Sequence, residues 1–240
     1  MVTMLRSLFG EEPRRDEGTL KEAMVAIDRY LSHVRKQIDN GGDPGHYWRK
    51  IEIWTIGLRM SLDELEQSIY ASGKYAERVT KHYRDDMNDK ELDDYYRHVY
   101  FYKNAFIRVF SILDKLGTLL NEVLRLETEQ MKRFFSYFTV LRRLHRTGRH
   151  PRLADKLSGL KQLHGEAMRR LRKRRNTEIH YMNAEMQDDL LQRHRSLNSK
   201  LRLEDIQSNM DDVEEGMQMV CGALTASFRA LLDLEKGSGK

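Results

Sequence analysis

The chain is poor in residues that interrupt helices or cross-link a fold. Among 240 residues there are three prolines, Pro13, Pro44 and Pro151, and 15 glycines. Long stretches are therefore free of the residue that removes a backbone donor and clashes with the preceding turn. The regularly spaced turn signals of an all-β protein are missing, whereas the helix formers Leu, Met, Arg, Lys, Glu and Gln recur throughout. The expected fold class is all-α. One cysteine, Cys221, excludes an intramolecular disulfide and a cysteine-rich zinc site, and the expected location is the cytoplasm. No window approaches the roughly 20 apolar residues of a membrane span, and the opening MVTMLRSLFGEEPRR lacks the apolar core of a signal peptide. No membrane partner is expected.

Several chemistries are missing as well. No G-x-x-x-x-G-K-S/T loop, G-x-G-x-x-G turn or G-x-S-x-G elbow occurs, so the commonest signals for nucleotide hydrolysis, dinucleotide binding and acyl transfer are absent. None of the nine histidines has a glutamate three positions earlier, the spacing that lets both reach one metal in a di-metal bundle. No metal and no cofactor are expected. The acidic pairs Asp85-Asp86, Asp93-Asp94, Asp188-Asp189 and Asp211-Asp212 mostly adjoin helix starts, where carboxylates cap exposed N–H groups. Tyr95, Tyr96, Tyr100 and Tyr102 crowd one helix, and core or interface positions are expected for them rather than base stacking.

Helical periodicity is abundant. A first helix opens at Thr19, where T-L-K-E reads as a capping box between Thr19 and Glu22, and it steps through Met24, Ile27, Leu31, Val34 and Ile38. It closes at a breaker cluster from Asn40 to Gly45. Residues 47–83 resume the pattern, with Gly57 and Gly73 as points of kinking or splitting. The longest stripe runs from Leu92 to Leu126 at near-heptad spacing. At about 1.5 Å per residue it makes a rod on the order of 50 Å, which cannot hide its apolar face alone and must pack in a bundle. A further apolar stretch, FFSYFTVLRRL, runs to a break at Thr147–Pro151; helices are then expected over about 153–182 and near 211–234. The expected organisation is an N-terminal extension over 1–18, one helical domain over 19–235 and a disordered tail over 236–240.

The net charge of +5 conceals a lopsided distribution. Residues 131–175 hold 15 Lys or Arg against only Asp155 and Glu166, a net of +13, while the rest of the chain sums to −8. A field of that kind points to a polyanionic partner such as nucleic acid, or else to a solvated helix face. Within the block, residues 169–175 read R-R-L-R-K-R-R and lead directly into N-T-E-I-H-Y.

Arg175, Asn176 and His180 form R-N-x-x-x-H, which resembles the signature of the HEPN superfamily (higher eukaryotes and prokaryotes nucleotide-binding), small helical-bundle domains often found as bacterial ribonucleases and toxins. The order of elements is similar too, with long helices first, the motif in a late helix and one more helix after it. FIRVFSILDKLGTLLNEVL followed by RRNTEIHY resembles a clostridial-type HEPN subgroup over most of the chain. The resemblance implies an antiparallel bundle with long helices, acting as a homodimer that cuts RNA without metal beside a 2′-hydroxyl. It implies His180 as general acid/base, Arg175 as the phosphate-binding group and Asn176 as the residue orienting the site. Arg169, Arg170, Arg172, Lys173 and Arg174 are then expected to hold the RNA. The chemistry suits these residue types. Histidine titrates near neutral pH, and a neutral imidazole accepts a proton from a ribose hydroxyl. Arginine stays charged and forks onto phosphate oxygens.

A toxin or defence role, with a neutralising protein partner, follows from the same resemblance. Some HEPN toxins carry a tyrosine two places after the histidine for control by a nucleotidyltransferase; here that place is Met182, and Tyr181 lies one earlier, so control of that particular kind is not expected. Two alternatives stand beside this reading. One is a non-catalytic HEPN module that binds RNA, a nucleotide or a protein. The other is a helix-surface ion cluster pairing Arg174 with Glu178. Arg175 and His180, five residues apart on an ideal helix, stand about 140° apart around its axis, so a single helix does not complete the site.

Overall fold

The computed structural model describes residues 4–41, 43, 45–180 and 202–237. Eight α-helices occur among the described residues: α1 (Met4–Leu8), α2 (Gly18–Asp39), α3 (Tyr47–Ala76), α4 (Asp89–Val123), α5 (Tyr137–Thr147), α6 (Pro151–Leu163), α7 (Gly165–His180) and α8 (Ile206–Gly237). The only extended pairing among them is an isolated antiparallel bridge between Tyr83 and Arg202. The architecture is all-α, as expected. No helix among the described residues is long and apolar enough to cross a membrane.

The described residues fall into two compact units, one drawn from Met1–Arg14, Glu64–Val109 and Gly165–Met217, the other from Arg15–Asp63, Phe110–His164 and Gln218–Lys240. Helices α3, α4 and α8 each contribute a part to both.

In the first unit, the heptad stripe of α4 buries Tyr95, Val99, Tyr102, Phe106 and Val109, joined by Leu65 and Ile69 of α3, Met168 and Leu171 of α7, and Met210 and Val213 of α8. Tyr95 and Tyr102 are core residues; Tyr96 and Tyr100 are exposed at 37% and 64%. The α3–α4 connection is tied by Glu91, whose carboxylate accepts from the backbone N–H groups of Thr80 (2.6 Å) and Lys81 (2.8 Å). His98 is buried against Ser72, its Nδ1 3.0 Å from that residue's carbonyl, and burial holds its pKa below the ordinary histidine value.

In the second unit, α2 places Ile27, Tyr30, Leu31 and Val34 in the core with Ile51, Leu58 and Leu62 of α3 and Leu224, Phe228 and Leu231 of α8. The Thr19–Glu22 capping box does not form. The cap position is Glu17, one residue ahead of Gly18, whose φ of +54° favours glycine, and Thr19 already lies inside the helix. Its hydroxyl instead donates to Gln218 Oε1 (2.6 Å), and Glu22 pairs with Arg229 (3.1 Å). Asp43 of the breaker segment caps α3, accepting from the N–H groups of Trp48 (2.9 Å) and Arg49 (3.1 Å). The start of α5 presses on α4 at Gly117, where an added Cβ would stand 3.0 Å from the Tyr137 Cα. Asp114, one turn earlier, accepts the Tyr137 N–H (2.9 Å) and so caps α5. Cys221 is buried, and desolvation pushes its thiol up to about 12.

The same unit contains a half-buried acid. Glu235 of α8 accepts the Tyr30 hydroxyl (2.9 Å), its other oxygen lies 3.0 Å from His33 Nε2, and burial pushes its pKa up to about 7. A carboxyl whose pKa rises on folding from its ordinary 4.5 adds stability that is complete below about pH 4.5 and is lost as pH climbs through 7. In urea unfolding between pH 5 and 8, the stability difference between wild type and Glu235→Gln is therefore expected to fall as pH rises, the buried His98, held below its ordinary value, contributing equally to both.

Three expected elements differ. The 47–83 pattern ends as a helix at Ala76, running unbroken through Gly57 and Gly73, and Leu203 N–H donates to His82 O (2.9 Å) beyond it. The single helix expected over 153–182 is two, α6 and α7, divided at His164. The last helix begins at Ile206 rather than near 211. Residues 238–240 of the expected tail, with His194 and Asp188-Asp189, lie outside the described residues.

Candidate functional site

Helix α7 carries the whole basic run and the R-N-x-x-x-H residues, on a turn-by-turn pattern that buries only Ala167, Met168 and Leu171. Leu171 seats against α8 at Gly216, where an added Cβ would meet its Cδ1 at 2.9 Å. Beside this small apolar contact lies an ionic one. Asp212 of α8, only 2% exposed, takes Arg170 in a forked pair (Nη2 to Oδ1 2.6 Å, Nε to Oδ2 3.0 Å) and also accepts from Arg174 Nη1 (2.9 Å). Arg174 further donates to Asn209 Oδ1 and lies 3.8 Å from Glu204. Its bond to Asp212 raises the Arg170 guanidinium above its already high ordinary value. One buried carboxylate thus holds two of the six cations of the run.

Of the remaining members, Arg169, Arg172 and Lys173 face outward. Arg169 pairs with Glu166 (2.8 Å), and Arg172 and Lys173 are exposed. Arg175 is half-buried and its Nη2 donates to the Asn176 side-chain oxygen (2.9 Å), so the first two motif residues stand together. Asn176 and His180 are exposed, and Ile179 between them is 55% exposed. The helix is α-helical through His180, so the separation of about 140° between Arg175 and His180 around its axis holds. The Arg174–Glu178 pair considered from sequence does not form: Arg174 is taken by Asp212, and Glu178 pairs with Lys103 of α4 (2.8 Å).

A family model described as Cthe2314-like HEPN matches residues 54–232, about three quarters of the chain, including Arg175, Asn176 and His180. The chain belongs to this HEPN family. No curated protein and no solved structure matches it. The all-α fold agrees with a HEPN helical bundle.

Within this HEPN chain, sequence reasoning missed the residues that seat α7. Asp212, Asn209 and Glu204 lie 38, 35 and 30 positions beyond Arg174, and Lys103 lies on another helix. The only signal was the acidic pair Asp211-Asp212, assigned to capping. Since α8 starts at Ile206, that pair lies inside the helix; Asp211 accepts from Gln207 (2.8 Å), and it is Asp205 that caps, accepting from the Ser208 N–H (3.0 Å). Asp93 and Asp94 likewise lie within α4, both near Arg97 (2.5 and 3.5 Å). No group of three potential metal-ligating side chains stands together among the described residues. Tyr181 and Met182, which bear on the tyrosine found in some HEPN toxins, lie outside the described residues.

Proposed function

We propose that this HEPN protein is a metal-independent endoribonuclease that cuts RNA beside a 2′-hydroxyl, acting as a homodimer in a toxin or defence system with a neutralising protein partner. The observation that carries the reading is the complete R-N-x-x-x-H set on one helix, with Asn176 and His180 open to solvent rather than plugged by apolar packing. In this reading His180 takes the 2′-hydroxyl proton and Arg175, oriented by Asn176, stabilises the charge that grows on the phosphate. Arg169, Arg172 and Lys173 lie on the solvent side of α7, where a phosphate backbone can reach them. Arg170 and Arg174 support the RNA only indirectly, through the seating of α7. The second copy is a chemical need as well as an analogy, because one helix sets its arginine and histidine on different faces.

The test is incubation of the purified protein with total RNA, with and without EDTA, followed by analysis of the new ends. Cleavage that persists in EDTA and leaves 2′,3′-cyclic phosphates is the expected result. Binding without any cleavage under either condition makes the protein a non-catalytic HEPN module instead.

A further inference from the structure

The cations of the basic block are of two kinds. Those of α7 include three, Arg169, Arg170 and Arg174, held by carboxylates. Helices α5 and α6 present the other kind. They form a hairpin whose turn follows from its residues: Gly148 closes α5 in the left-handed region at φ +62°, and Pro151 opens α6. A bond of 2.5 Å between His145 Nε2 and Ser158 Oγ links the two helices. Lys132, Arg142, Arg146, Arg149, Arg152, Lys156 and Lys161 are all exposed on this hairpin or its approach. None of the seven has a carboxylate within ion-pair distance among the described residues. Just ahead of α5, Phe134 is 78% exposed with the Arg133 guanidinium 5.5 Å from its ring centre.

We infer that the α5–α6 hairpin is a docking surface for single-stranded RNA, with the seven uncompensated cations following the phosphate backbone and Phe134 stacking on a base. An unpaired strand is the ligand that uses both features, since only unstacked bases offer a face to an aromatic ring. An anionic membrane would use the charge but needs an exposed apolar face. The apolar stripes of both helices are buried, α5 through Tyr137, Val140, Leu141 and Leu144, and α6 through Leu153, Ala154 and Leu157, which leaves Leu163 at the end of α6 as the one large apolar side chain exposed on the two helices. The inference rests on the RNA reading proposed above, but binding and cleavage are read separately.

The test is fluorescence anisotropy with a labelled single-stranded RNA of roughly 12 nucleotides, in full-length His180→Ala protein so that the strand stays intact, titrated at several salt concentrations. Combining Arg142→Gln, Arg146→Gln, Arg149→Gln and Arg152→Gln is expected to weaken binding more than about tenfold and to make the log–log salt slope shallower by about 3, near 0.7 per lost phosphate contact. Phe134→Ala is expected to weaken binding by about five- to hundred-fold with the slope unchanged. Circular dichroism checks that helicity is retained; all five positions are solvent-facing. Parallel slopes for parent and quadruple variant overturn the inference, as does capture by phosphatidylserine vesicles with no RNA binding. Absence of cleavage by the wild-type protein, with this binding pattern intact, defeats the ribonuclease reading alone.

Discussion

Replacing His180 with alanine is expected to lower RNA cleavage by about 10² to 10⁴ fold, the range for removing a general acid/base. The side chain is exposed at the end of the described part of α7, so its loss leaves no cavity, and helix content and unfolding midpoint are expected to stay at wild-type values. Single-turnover cleavage of a labelled RNA, beside a thermal unfolding curve, makes the comparison. A rate equal to wild type removes His180 from the chemistry. Because Arg175 and His180 occupy different faces of one helix, mixing Arg175→Ala with His180→Ala chains is expected to restore measurable activity. Recovery of that kind means that each copy supplies the group the other lacks; two dead proteins that stay dead when mixed exclude such a shared site.

The second large effect is on stability. Asp212→Ala strands two guanidinium groups that now share one buried carboxylate, and removal of one partner from a fully buried pair costs about 3 to 5 kcal/mol. The arginines here are 44% and 21% exposed and turn partly to water when released. The expected loss is therefore smaller, about 2 to 3 kcal/mol, measured by urea denaturation. Asp212→Asn, which keeps the volume and some hydrogen bonding, is expected to fall between. RNA cleavage should drop in both variants, since α7 is seated through this residue. An unchanged midpoint in Asp212→Ala means that the apolar contact at Leu171 and Gly216 alone seats the helix.

What could be read before the structure follows the range over which the responsible forces act. The α4 stripe is periodic over many turns, and its burial is a property of each residue relative to its neighbours, so helix α4 from Asp89 to Val123 was legible. The R-N-x-x-x-H set is likewise local. The division at His164 escaped because Gly165 is compatible with a continuing helix, and nothing near it specifies the turn. The capping box escaped because a hydroxyl has several acceptors: Thr19 lies inside the helix and donates to Gln218, 199 positions away. The division of the arginines between internal pairing and solvent also depends on contacts distant in sequence. A run of six cations in seven reads as one uniform patch until Asp212 is found beneath two of them.

The sealed position of Cys221 has a practical consequence. With the only sulfhydryl of the chain buried and held in its unreactive protonated form, maleimide labelling of the native protein should proceed slowly, and the rate at which it does proceed reports opening of the surrounding helices. A cysteine introduced at a solvent-facing position such as Lys173 then becomes the sole fast-reacting handle, and a fluorophore there would follow RNA arrival without removal of the natural thiol.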